Sequence, residues 1–126
     1  MEEYTVKVNQ YGNKYWYQNG KRHRLDGPAV EYADGSKSWY QNGKSHREDG
    51  PAIEEANDDK YWYQNDELHR LDGPAIEDAN GYKAWYIEGK ELTEEEFNNR
   101  NNVEVTLEDI AKAMNIDVDK LRIKEH

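Results

Sequence analysis

Three histidines, His23, His46 and His69, stand 23 residues apart, and each is followed by an arginine, Arg24, Arg47 or Arg70. Two residues after each arginine comes an aspartate (Asp26, Asp49, Asp72), and seven after it a glutamate (Glu31, Glu54, Glu77). Imidazoles in a set suggest a metal site. Guanidinium groups beside aromatic rings suggest a grip on phosphate or nucleotide. A row of carboxylates suggests an imitation of a nucleic-acid backbone. The spacing decides among these. If each period adds two strands at ~4.8 Å, equivalent atoms lie about 10 Å apart. Zinc ligands must each come within ~2 Å of one ion, so the three histidines cannot share a metal, and no metal or cofactor is expected. Each imidazole is expected instead to bond a loop carbonyl or carboxylate and hold a turn. The same 10 Å spacing fits poorly to phosphates rising 3.4 Å along a strand, so the glutamate ladder is expected to be a solvated face, with a DNA-mimic inhibitor as an alternative.

Arg24, Arg47 and Arg70 are expected to pair locally with Asp26, Asp49 and Asp72, in turns that aspartate commonly stabilises. The alternative keeps those arginines for binding a small phosphorylated ligand, as a nucleotide-signal sponge would. Trp16, Trp39, Trp62 and Trp85 recur at the same period, each followed by a tyrosine, Tyr17, Tyr40, Tyr63 or Tyr86. Neighbours in a strand point to opposite faces. The tryptophans are assigned to the core and the tyrosines to an exposed binding strip, since exposed aromatic patches mark interaction sites.

The elements that must carry these side chains follow from the repeat. Lys14-Tyr15-Trp16-Tyr17-Gln18-Asn19-Gly20-Lys21 returns from Lys37, from Lys60 and, altered, from Lys83. Period-locked similarity of this kind is the mark of a solenoid or array. Tyr15 to Gln18 reads as a strand rich in aromatic β-formers. Asn19-Gly20 is a strong hairpin signal, because both residues tolerate positive φ. Asp26-Gly27-Pro28 breaks the chain again, as do Gly50 and Gly73 with their prolines; proline suits the start of a strand. Ala29 to Ala33 is the next strand, and Asp34-Gly35 turns back. Residues 4–11 read as an N-terminal half-repeat. The expected fold is mainly β: an array of antiparallel hairpins, in a single sheet or open barrel, over residues 1–92.

Residues 93–126 are expected to form a small helical or α+β cap. Thr93 with Glu96 is a capping box. Residues 103–105 read as a strand and residues 107–114 as a helix. Residues 106–122 also resemble the opening of a helix-turn-helix, but its second helix is too acidic to read base edges.

Leu, Ile, Val and Phe number 19 of 126 residues and the formal net charge is −10. That pairing alone falls in the disordered range. The 15 aromatic residues oppose it, and predict an aromatic rather than aliphatic core. Direct nucleic-acid binding is not expected of so acidic a chain. With no cysteine, disulfides and thiolate metal sites are excluded. No apolar run approaches the ~20 residues of a membrane span or resembles a signal peptide, so a cytoplasmic location without membrane insertion is expected. The serines lie in turns or variable positions, no phosphate-cradling glycine loop occurs, and the carboxylates recur along the whole array, so the chain is not expected to be an enzyme.

Trp-x-x-Asn-Gly-Lys-x-His, a later glycine and Tyr-Ala-Asp-Gly together resemble MORN-type repeats, best in Trp16 to His23 with Tyr32 to Gly35. The resemblance covers residues 11–92. Arg24-Leu25-Asp26 intervenes before Gly27, which is similar to the divergent His-Arg-x-Asp-Gly-Pro-Ala variety found largely in phage and bacterial proteins. The ending from Gly89 to Phe97 is similar too. The resemblance implies an all-β array for protein or lipid contact, without catalytic residues. The function it leads us to expect is a phage-type accessory protein in the host cytoplasm, docking on a host protein and inhibiting a defence system.

Overall fold

The structure, a computed structural model, describes residues 3–101 and Lys112. The strand and helix expected at residues 103–105 and 107–114, and the helix-turn-helix alternative, lie outside the described residues, Lys112 apart.

The chain begins with β1 (Thr5–Val8), β2 (Lys14–Gln18), β3 (Lys21–Arg22) and β4 (Val30–Glu31). The second period supplies β5 (Lys37–Ser38), β6 (Tyr40–Gln41), β7 (Lys44–Ser45) and β8 (Ile53–Glu54). The third supplies β9 (Lys60–Tyr61), β10 (Tyr63–Gln64), β11 (Glu67–Leu68) and β12 (Ile76–Glu77). β13 (Lys83–Ile87), β14 (Lys90–Leu92) and the helix α1 (Glu94–Asn99) close the array. Among the described residues all pairings are antiparallel, so the hairpin array predicted from the repeat is the fold. The N-terminal half-repeat is β1, which pairs along the whole of its length with β2 and places Val6 opposite Trp16.

The expected strand through Trp-Tyr-Gln does two jobs rather than one. In the first period Lys14 and Tyr15 pair with Glu31 and Val30, whereas Tyr17 and Gln18 pair with Arg22 and Lys21. Trp16 is the junction: its N–H donates to the Ala29 carbonyl at 2.8 Å, and its carbonyl accepts from the His23 N–H at 3.0 Å. In the next two periods the ladder is interrupted at Trp39 and Trp62, so β5 and β6, and likewise β9 and β10, are separate strands. A main sheet therefore runs β1-β2-β4-β5-β8-β9-β12-β13-β14, with β3 attached to β2, and the hairpins β6–β7 and β10–β11 form their own pairs beside it.

Neighbouring hairpins are tied by backbone bonds. Gly43 N–H donates to the Arg22 carbonyl at 2.8 Å, Asp66 N–H to Ser45 at 2.9 Å, and Gly89 N–H to Leu68 at 2.9 Å. Cohesion thus passes from each repeat to the next, as in other quasi-one-dimensional arrays. The hairpin turns have positive φ at both central residues, 52° and 75° at Asn19-Gly20, the geometry that matches strand twist.

The wholly buried row is small, not aromatic. Ala29, Val30, Ala52 and Ala75 are fully buried and Ala84 nearly so. Trp16, Trp39, Trp62 and Trp85 are half-buried, and so are Tyr17, Tyr40, Tyr63 and Tyr86. This corrects two expectations, that of an aromatic core with the tryptophans inside it and that of tyrosines set apart from them as an exposed strip. A thin array has no second layer for large rings to sink into. Ala29, Ala52 and Ala75 lie at the junction, where the carbonyl of each accepts the N–H of Trp16, Trp39 or Trp62.

α1 starts as its capping box predicts. The Thr93 hydroxyl accepts from Glu96 N–H, and the Glu96 carboxylate accepts from Thr93 N–H, both at 3.0 Å. Phe97 is buried as α1 packs on β13 and β14.

Candidate binding surfaces

The tryptophan face is built from one unit used three times. Arg24 lies over the Trp16 ring, 4.1 Å from its centre; Arg47 lies 3.8 Å from that of Trp39 and Arg70 3.9 Å from that of Trp62. Each guanidinium is held from several sides. Arg47 donates through Nε to Asp49 at 3.1 Å, and through one terminal nitrogen to the Pro51 carbonyl and to Glu54, both at 3.1 Å. Arg24 makes the same bonds to Asp26, Pro28 and Glu31, and Arg70 to Asp72, Pro74 and Glu77. The Arg70 bond holds the Asp72 carboxyl below the usual carboxylate range.

The glycine of each Asp-Gly-Pro lies against the guanidinium. A Cβ on Gly27 would fall 3.0 Å from the Arg24 Cζ, and one on Gly50 or Gly73 2.9 Å from that of Arg47 or Arg70. None of these three has positive φ. They are glycines for close approach, a role the sequence does not display beside its turn-forming neighbours.

The histidines tie one repeat to the next. The Nδ1 of His23 accepts the Asn42 N–H at 3.0 Å, that of His46 accepts Asn65 N–H at 3.2 Å, and that of His69 accepts Glu88 N–H at 2.9 Å. They hold turns, as expected, but by accepting from the following repeat's backbone rather than by bonding a carbonyl or carboxylate; His46 adds a 3.3 Å contact to Glu48. Among the described residues no cluster of three or more histidine or carboxylate side chains is placed to hold a metal ion.

The glutamate row is not uniformly acidic. Across the main sheet, Glu31 stands between Lys14 and Lys37, Glu54 between Lys37 and Lys60, and Glu77 between Lys60 and Lys83. A stripe of alternating sign is a stabilising cross-strand ladder and a poor copy of a phosphate backbone.

The tyrosine face is different in kind. Arg22 lies 5.5 Å from the ring centres of both Tyr15 and Tyr40, and Lys7 is 5.2 Å from that of Tyr17. Burial pushes the Tyr63 phenol above its ordinary value, with Asp66 and Tyr40 adding to the shift. The phenols of Tyr32 and Tyr86 are raised for the same first reason, with Tyr40 adding for Tyr32 and Glu91, Tyr82 and Tyr63 for Tyr86. Along the array Tyr40 thus acts on Tyr63, and Tyr63 on Tyr86.

Two grooves lie between successive His-Arg loops on the tryptophan face. One, of about 620 Å³, is walled by Leu25 and Asp26 on one side and by Glu48 and Asp49 on the other, over Trp39 and Gln41. Its counterpart one repeat on, of about 500 Å³, has Glu48 and Asp49 facing Leu71 and Asp72 over Trp62 and Gln64. At the N-terminal end Tyr4 stacks on His23, with ring centres 6.1 Å apart. Among the described residues no helix is long and apolar enough to cross a membrane.

Comparison of the chain with protein-family models, with curated proteins and with solved structures found no match in any of the three.

Proposed function

We propose that this chain is a non-enzymatic, cofactor-free binding module of MORN-like repeats that docks on a protein through its tyrosine face. The observation that carries the reading is the row Tyr17, Tyr40, Tyr63 and Tyr86, repeated at a fixed spacing and half-buried, with Tyr15 and Tyr61 two residues before the first and third. Tyrosine offers large rigid contact area at little entropic cost and is enriched at interface centres. Nucleotide capture is less well supported. Arg24, Arg47 and Arg70 are already paired with carboxylates, and each covers the tryptophan on which a base would stack. The DNA-mimic alternative is less well supported too, because the glutamate row alternates with lysines.

The partner class follows from the repeat resemblance: a host protein in the bacterial cytoplasm, bound by a phage-type accessory protein that inhibits a defence system. The test is a capture experiment. The immobilised chain and its Tyr40→Ser/Tyr63→Ser variant are each exposed to bacterial lysate. A stoichiometric protein retained by the parent and lost by the folded variant is the expected result. Equal retention by both, or no stoichiometric protein on either, overturns the reading.

A further inference from the structure

The residue paired across from each tyrosine of the row changes in charge along the array. Tyr17 stands opposite Arg22, Tyr40 opposite Ser45, Tyr63 opposite Leu68 and Tyr86 opposite Glu91. Directly opposed residues of an antiparallel pair share a face of the sheet. This one repeat position therefore runs from a cation at the N-terminal end of the tyrosine face to a carboxylate at its C-terminal end. Neighbouring charges follow the same order. Lys7 lies over Tyr17, and Arg22 over both Tyr15 and Tyr40. Farther along, Asp66 acts on Tyr63 and Glu91 on Tyr86.

Arg22 differs from the arginines of the tryptophan face. Arg24, Arg47 and Arg70 each pair with two carboxylates. Among the described residues no carboxylate forms an ion pair with Arg22, although the chain has 27 acidic residues against 17 basic ones. The side chain is nonetheless held in place. It is half-buried, 5.5 Å from the ring centres of both Tyr15 and Tyr40, with the phenols of Tyr17 and Tyr40 beside it. A guanidinium has five donors, and a phenol has an O–H to donate. Donors thus converge here with no carboxylate of the chain to receive them. Glu55 acts on the nearby Tyr32, but its carboxylate is engaged by the Ser36 hydroxyl at 3.4 Å.

We propose that Arg22, with the phenols of Tyr17 and Tyr40, is an anion subsite that takes a side-chain carboxylate from an acidic segment of a protein partner. The subsite rests on the reading of the tyrosine face as the docking face, and gives the partner's chemistry at one end of it. A guanidinium fork receives a carboxylate in two parallel bonds, and the adjoining rings cover the apolar carbons of the same segment. Lys7 supplies a second cation for a neighbouring acid. The order of charges also sets the partner's direction, with its acidic end over Tyr17 and Tyr40 and away from Glu91.

The probe is the capped peptide Gly-Glu-Glu-Gly, titrated into the isotopically labelled full chain and followed by amide and arginine Nε–H NMR shifts. The net charge of −10 disfavours any general attachment of an acidic peptide, so a local response is specific. Shifts should appear at the Arg22 Nε–H and at the amides of Tyr17 and Tyr40, and not at Tyr86 or Glu91. The capped peptide Gly-Gln-Gln-Gly should bind at least about fivefold more weakly, because its amides carry no charge. Arg22→Gln should weaken the glutamate peptide about tenfold, and Arg22→Lys should recover only part of that, because an ammonium lacks the fork. Absence of these shifts at millimolar peptide, or equal binding of the glutamine peptide, overturns the proposal without relying on any variant. Inorganic phosphate moving the same signals at lower concentration than the glutamate peptide overturns the assignment to a carboxylate. In the lysate capture, a protein lost by Tyr40→Ser/Tyr63→Ser but held equally by the parent and a folded Arg22→Gln chain overturns the subsite and leaves the tyrosine face standing. Shifts at Arg22 with no protein captured by the parent overturn the docking reading instead.

Discussion

The guanidinium of Arg47 lies 3.8 Å from the centre of the Trp39 ring, and the backbone of Gly50 lies against it. One arginine thereby joins the tryptophan at the strand junction to the Asp-Gly-Pro loop and, through Glu54, to the neighbouring strand β8. The buried row of the array is mostly alanine, so this clamp does locally what a second layer does in a thicker protein.

Arg47→Ala should lower stability by about 2–3 kcal/mol, combining the loss of the ring contact with that of several charge-assisted bonds. Arg47→Lys should recover only part of this, because an ammonium cannot reproduce the fork. Urea unfolding of both variants checks the order. Trp39→Ala should cost about 3 kcal/mol, the low end for a large aromatic because the ring is only half-buried. The Trp39→Ala/Arg47→Ala double variant should show coupling of about 1 kcal/mol.

Gly50→Ala tests close approach. Its Cβ would meet the Arg47 guanidinium at 2.9 Å, so the clamp must open. A loss of about 1–2 kcal/mol is expected, as for other overpacked sites. In an Arg47→Ala background the same substitution should cost almost nothing. An equal cost in both backgrounds would show that Gly50 serves the backbone alone.

The histidine tie predicts a graded result at His46. His46→Ala removes the acceptor for Asn65 N–H and should cost about 1 kcal/mol. His46→Asn places an amide oxygen near the former Nδ1 and should recover part of the loss. Amide exchange at Asn65 should quicken in the alanine variant and slow again in the asparagine one.

Asp58 has φ 76° in a turn where its counterparts Gly35 and Gly81 have 96° and 90°. Its side chain is strained where glycine is not, so Asp58→Gly should raise stability by about 0.5–1 kcal/mol. Thermal melting of the single variant decides it.

The pH limits follow from the shifted groups. The Thr93 backbone bond holds the Glu96 carboxyl below its ordinary value, and the bond from Ser36 N–H does the same for Asp34. The folded state therefore favours their ionised forms. The stabilisation is present above the ordinary carboxylate range and is lost as pH falls through the lowered values. At the alkaline end burial raises the Tyr63 phenol, so its contribution is present below the ordinary phenol range and is lost as pH rises through the raised value. Carboxyl-carbon NMR should show Glu96 titrating with a lower midpoint folded than in urea, and phenol absorbance should show Tyr63 ionising later.

Much of the fold is legible in short stretches of residues. Asn19-Gly20 specifies its turn because both residues accept positive φ, and Thr93 with Glu96 specifies a helix start because the donors and acceptors lie three residues apart. The 23-residue period specifies an array. These are local properties, decided by dihedral preference and hydrogen bonding within a few residues. The candidate surfaces are legible only as composition: the tyrosine row is visible in the repeat, whereas the grooves between successive His-Arg loops are not.

What the sequence by itself determined is therefore the period, the turns, the strands and the identity of the repeated side chains. Tertiary structure alone decided that the strand is interrupted at Trp39 and Trp62, that Ala29 rather than tryptophan is buried, that Gly27 admits a guanidinium, and that His23 serves Asn42 in the following repeat. The physical reason is range. Those outcomes depend on how two rows of short strands pack one repeat against the next, through contacts such as the one 19 residues long between His23 and Asn42, and no local preference in the chain encodes the distance between the rows.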